Sequence, residues 1–101
     1  MRVISKASLV NFGNKHPASK HALQTWFEYA SHARWKTPQE IKARFVSASF
    51  LAANRVVFNI KGNDYRLVVA AAYRFEALYI KFVGTHAEYD AIDATNVENW
   101  P

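Results

Sequence analysis

Residues Leu78 to Asp93 read LYIKFVGTHAEYDAID, and in them a strand passes through one glycine into a capped helix. Leu78, Ile80 and Phe82 alternate with Tyr79, Lys81 and Val83, the period of two shown by a strand with one buried face. Gly84 interrupts the run. Thr85, followed three places later by Glu88, has the capping-box form. There a Thr hydroxyl and a Glu carboxylate each take an amide that a helix start leaves without a partner, so the spacing predicts a helix beginning at His86. Tyr89 and Asp90 lie three and four positions on and share its face. An imidazole, a phenol and a carboxylate are thereby predicted to gather at the mouth of a strand.

Outward from this stretch, Arg55 to Ile60 and Tyr65 to Tyr73 read as two further strands. The separators Lys61-Gly62-Asn63-Asp64 and Arg74-Phe75-Glu76-Ala77 make the three an antiparallel meander. Pairing Ile60 with Tyr65 sets Phe58 opposite Leu67 and Val56 opposite Val69. Pairing Tyr73 with Leu78 sets Ala71 opposite Ile80 and Val69 opposite Phe82, with every large aliphatic on one face. On the other face these registers place Asn59 beside Arg66 and Arg66 beside the Thr85-His86 junction. Arg55, Ala70 and Lys81 form a second row there, Lys61 and Arg74 lie elsewhere on the same surface, and small Ala70 and Ala72 leave a shallow groove. A concave basic face with a histidine-bearing helix at its rim suits a phosphate ester. The same pattern also describes a solvated sheet face on which Arg and Lys keep the edges soluble.

The first half of the chain reads differently. Arg2 to Ser5 is a short strand, and Ser5 can cap a brief helix that puts Leu9 and Phe12 on one side before Gly13, Asn14 and Pro17 end it. From Pro17 to about Arg34, Leu23, Trp26, Phe27 and Ala30 follow the helical spacing of a buried stripe, so these aromatics read as core. Thr37-Pro38-Gln39-Glu40 opens a short helix through about Phe45. The expected fold is α+β: a small curved antiparallel sheet with helices packed on one face and a short C-terminal helix.

The chain has 101 residues, half of them hydrophobic and 15% aromatic, which is enough for one packed domain over 1–101. Without cysteine there is no disulfide framework, thiolate nucleophile or thiolate zinc site. No pair among His16, His21 and His32 has the i, i+4 spacing of metal ligands, so they read as surface residues; no metal and no cofactor is expected. The stretch MRVISKASLVNF holds no long apolar run of the kind a signal peptide needs, and nowhere is there an apolar run long enough for a membrane helix, so a soluble, cytoplasmic protein is expected. Charge is segregated: all 13 Lys and Arg lie between Arg2 and Lys81, against Glu28, Glu40, Asp64 and Glu76. Beyond Lys81 stand only the acids Glu88, Asp90, Asp93 and Glu98. A basic body with a small acidic end points to a polyanionic partner, most simply nucleic acid, although lysines that only solvate the surface give the same count.

The pair FNIKGNDYRLVVA and FVGTHAEYD, from Phe58 through Asp90, resembles the HigB branch of the RelE-type bacterial toxins. The resemblance implies a curved antiparallel sheet backed by helices on one face and receiving RNA on the other. It implies metal-independent, ribosome-dependent cleavage of messenger RNA and inhibition by a cognate, HigA-like antitoxin protein. By that likeness Arg66, His86 and Tyr89 are the expected catalytic residues. Arg66 would hold the scissile phosphate, His86 would act as general acid or base, and Tyr89 would position the hydroxyl, orient His86 or stack on a base. Lys61, Lys81, Arg74 and Asn59 are the expected RNA- and phosphate-binding residues. Many relatives carry several lysines and a second arginine where this chain has His86, which leaves the acid and base roles open. Two rivals remain: a non-catalytic RNA-binding or interaction module using the same basic face, and a gyrase-inhibiting toxin of the same superfamily. Val97 and Trp100 near the end read equally as docked on the body or as offered to an antitoxin.

Overall fold

The computed structural model describes residues 1–98. Five strands form one sheet in the order β1-β5-β4-β3-β2, with β1 Arg2–Ile4, β2 Ser49–Leu51, β3 Arg55–Ile60, β4 Tyr65–Ala72 and β5 Ala77–Thr85. The helices are α1 Lys6–Lys15, α2 Pro17–His32, α3 Pro38–Arg44 and α4 His86–Asp90, and a 3-10 turn spans Tyr73–Phe75. The expected α+β architecture is observed. Strands β2 to β5 are antiparallel, and β1 joins the edge of β5 in parallel, with Arg2 opposite Ala77 and Ile4 opposite Tyr79. Alternation gave no sign of β2, whose three residues are too few to show a period.

The caps follow the local sequence where they are strongest. At Thr85 both halves of the capping box form: Glu88 N donates to Thr85 Oγ1 at 3.1 Å and Thr85 N to Glu88 Oε1 at 2.8 Å. Thr37 accepts from Glu40 N at 3.3 Å. Ser5 stands at the start of α1 as expected, but at φ 74° its side chain makes no cap bond.

One face of the sheet carries the main core. Leu9, Phe12, Leu23, Trp26, Ala30 and Ile41 from the helices pack on Val56, Phe58, Leu67, Val69, Leu78 and Ile80. Trp26 and Phe45 meet Phe58 edge-on, with ring centroids 5.3 and 5.2 Å apart. The first hairpin has the expected register, with Ile60 opposite Tyr65, Phe58 opposite Leu67 and Val56 opposite Val69. Its turn is made by Lys61 and Gly62 at φ 53° and 65°, the left-handed region that glycine enters without steric cost.

The second hairpin differs from expectation. The 3-10 turn closes it at Ala72 opposite Ala77, so Ala71 meets Leu78 and Val69 meets Ile80. The register then slips, because Lys81 is an extra residue between Ile80, opposite Val69, and Phe82, opposite Val68. A bulge of this kind reverses which side the following residues face. Phe82 therefore leaves the helix-backed core and packs on the other face with Val57, Val68 and Ala94.

That other face is not the open basic groove expected from the sequence. Residues 91–98 run back across it as a strap, in which Ala94 is buried and Ile92 and Val97 are partly buried against Val57, Val68 and Phe82. Arg55, only 6% exposed, donates to the carbonyls of Ala94 and Val97 at 3.4 and 2.6 Å and ties the strap down. Val97 is thus docked on the body, while Trp100 lies outside the described residues.

Candidate active site

Three chain segments meet at one end of the sheet: the turn 61–64, the start of β4, and the passage from β5 into α4. Tyr65 pairs with Thr85, and Arg66 lies between Asn59 and Gly84. The slipped register thus moves Arg66 one residue from its expected neighbour Thr85. The backbone amide of His86 donates to Asp64 O at 3.1 Å, which fixes the first residue of α4 to the turn.

Arg66 is 9% exposed. Its Nη1 donates to Asn63 O at 3.0 Å and to Tyr65 O at 3.2 Å, and its Nη2 to Asn63 Oδ1 at 3.1 Å. The guanidinium is therefore a fixed positive charge that also holds the turn. Tyr89 closes over it, with the guanidinium carbon 5.9 Å from the ring centroid, and its other contact is Phe82 at 6.2 Å. The bulge at Lys81, five residues before the helix, thus turns Phe82 into the floor under Tyr89.

His86 is accessible, with 52% of its side chain exposed and Nε2 lying 3.6 Å from Asp90 Oδ1. Asp90, at the expected i+4 position, stands beside the ring on the same helix face. Lys61 stands exposed on the turn, 3.8 Å from Asp64. These groups can hold an anion and exchange a proton beside it.

Arg66, His86, Tyr89, Asn59 and Lys61 are therefore gathered at one end, and the two remaining expected residues are not. Lys81 is engaged by the strap, its Nζ 2.6 Å from Glu98 Oε2. Arg74 lies exposed in the 3-10 turn beyond the far end of β4, whose last residue, Ala72, is six residues or about 20 Å along the strand from Arg66. Asn63 is the participant that sequence reasoning missed. It was read as a turn residue, and its carbonyl and side chain become the seat of the arginine only through the three-dimensional turn. The larger surface hollows lie elsewhere: an open groove of about 940 Å³ beside α2 is lined by Thr25, Tyr29 and Trp35 and shares no residue with this cluster. Among the described residues no group of three His, Asp or Glu side chains is placed to hold a metal ion. No described helix is long and apolar enough to cross a membrane.

A short mixed sheet backed by helices, with arginine, tyrosine and an exposed histidine gathered where its last strand enters a capped helix, defines a small α+β protein with a candidate anion site at one end of its sheet. The chain belongs to the HigB toxin family, the RelE-like toxic component of a toxin–antitoxin system, whose family model matches residues 19–92. It is similar to the mRNA interferase toxin HigB of Escherichia coli strain K12, with 31% identity over 95% of this chain and 94% of the relative. It is also similar to the mRNA interferase HigB of Escherichia coli O6:H1, with 27% identity over 98% of each.

Proposed function

We propose that this toxin is an endoribonuclease that cleaves messenger RNA on the translating ribosome, in the cytoplasm, without a metal. A HigA-like antitoxin holds it inactive. The names of its relatives support RNA as the substrate. The observation that carries the reading is the bond from His86 N to Asp64 O, which fixes an exposed imidazole to the turn that seats Arg66.

In this reaction the 2′-hydroxyl gives up its proton and its oxygen bonds to phosphorus. The bond from phosphorus to the 5′-oxygen breaks, and that oxygen takes a proton, leaving a cyclic phosphate and a free 5′-hydroxyl. His86 exchanges a proton with one of the two oxygens. Arg66 acts as a preorganised charge on the phosphorane, since a cation already fixed by its own bonds need not reorganise as negative charge develops. Tyr89 positions the ribose over Arg66, and Lys61 and Asn59 hold flanking groups. The ribosome supplies the alignment of a flexible RNA that an open site lacks.

The test is to express the parent and a His86→Ala, Arg66→Ala double variant under tight control and to map new 5′ ends on messenger RNA. Cuts made only by the parent and only within translated frames are expected. Growth arrest without new ends would favour the gyrase-inhibiting reading, and the absence of any phenotype would favour a binding module.

A further inference from the structure

Lys81 and Arg55 converge on one carboxylate. Glu98 accepts from Arg55 Nη2 at 2.7 Å through Oε1 and from Lys81 Nζ at 2.6 Å through Oε2. Two cations, with side chains 6% and 21% exposed, thus share one anion that is itself 55% exposed. The strap does not need this carboxylate to stay down. Arg55 Nη1 already holds the carbonyls of Ala94 and Val97, and Ile92, Ala94 and Val97 are seated on the sheet. Glu98 lies beyond these anchors, so a side-chain rotation alone releases Arg55 Nη2 and Lys81 Nζ from their shared carboxylate while Arg55 Nη1 keeps the strap in place.

The sheet row beside them is informative. Arg55 pairs with Ala70 and Ala70 with Tyr79, so small Ala70 separates the arginine from an aromatic ring that is 37% exposed. Lys81 Nζ lies 5.8 Å from that ring's centroid. A phosphodiester offers two terminal oxygens that share one negative charge, as a carboxylate does, and the base beside it offers a face to an exposed ring. We infer that Arg55 and Lys81 form a second phosphate-binding subsite for single-stranded RNA, with Tyr79 as its base-stacking platform and Glu98 as a resident anion that RNA displaces. The subsite lies four residues along β4 from Arg66, about 13 Å away, on the same side of the sheet. It rests on the endoribonuclease reading for the choice of RNA, and it makes the acidic end of the chain a competitor of the substrate.

The experiment measures binding of an uncleavable, 2′-deoxy-substituted oligonucleotide to the full chain carrying His86→Ala, by fluorescence anisotropy between 50 and 200 mM salt, conditions of about the range over which phosphate contacts are resolved. Adding Glu98→Gln is expected to tighten binding on the order of fivefold and to steepen the log–log salt slope by about 0.7 for each phosphate newly engaged. Lys81→Ala is expected to flatten the slope by about 0.7, and Tyr79→Ala to weaken binding on the order of tenfold with the slope unchanged. Thermal melting of each variant guards against misfolding. Unchanged affinity and slope in folded Glu98→Gln and Lys81→Ala proteins would overturn the inference, as would a gain for a polyglutamate peptide with none for the oligonucleotide. Cuts on messenger RNA without these binding changes remove the subsite alone, whereas the binding changes without cuts remove the nuclease reading and leave the subsite.

Discussion

Adding one methyl group at Gly84 should damage the site more than removing the helix cap beside it. A Cβ built there would stand 2.5 Å from Phe82 Cζ, 3.0 Å from Phe82 Cε2 and 2.9 Å from Glu88 Oε1. The glutamate is the flexible neighbour and can swing away, but Glu88 Oε1 is the acceptor for Thr85 N, so the swing opens half of the capping box. The phenylalanine has no such freedom, being fully buried between Val57, Val68 and the underside of Tyr89. Overpacking of a buried ring costs about 1–3 kcal/mol and the lost cap bond about 1 kcal/mol, so Gly84→Ala should lower stability by about 2–4 kcal/mol. Thr85→Ala, which loses only the cap, should cost about 1 kcal/mol. Equilibrium urea unfolding of the two variants and the parent measures both numbers, and messenger-RNA end mapping should show the larger loss of cleavage in Gly84→Ala, whose clash tilts Tyr89. If Gly84→Ala unfolded within about 0.5 kcal/mol of the parent, the account of Phe82 as a rigid floor would be wrong.

Three further outcomes are expected. Arg66→Lys keeps the charge but cannot fork onto both Asn63 atoms, so it should cost about 1–2 kcal/mol of stability and most of the cleavage; parental values for both would show that the fork is dispensable. The Glu98 carboxyl is held below its ordinary value of 4.5, first by the hydrogen bond from Lys81 and further by the charges of Lys81 and Arg55. A depressed folded pKa contributes stability above the unfolded value and loses it as pH falls through the folded one. The stability difference between the parent and Glu98→Gln should therefore be present at pH 7 and close in acid below the folded value, and a pH-independent difference in urea titrations would contradict this. Ala53 holds φ 62° at an exposed turn, so Ala53→Gly should raise stability by about 0.5–1 kcal/mol, with a fall in melting temperature as the contrary result.

Much of this fold could be read from periodicity, and its failures have identifiable causes. The first hairpin was legible to the residue because the turn Lys61-Gly62-Asn63-Asp64 sets Ile60 opposite Tyr65, and that register brings Val56, Phe58, Leu67 and Val69 to one face. The second was not, because Lys81 continues the alternation on paper while acting as a bulge in space, and a strictly periodic reading carries Phe82 to the wrong face. The start of α4 at His86 was legible because Thr85 and Glu88 mark it so clearly, whereas the neighbour of Arg66 shifts from Thr85 to Gly84 with the bulge. The strap was invisible for a different reason. Ile92, Ala94 and Val97 follow neither a helical nor a strand period, so their burial depends wholly on the surface that Val57, Val68 and Phe82 present.

The parallel pairing of β1 with β5 joins Arg2 to Ala77 and Ile4 to Tyr79, so the first strand to be synthesised waits for nearly the last to receive its partner. Closing so long a loop comes late, after the antiparallel hairpins, because non-local pairing repays its entropy only once the intervening chain is ordered. A nascent chain that stops before Ala77 has neither this pairing nor the strand that leads to His86. The pairing that joins β1 to β5 and the segment that carries the candidate site therefore become available together.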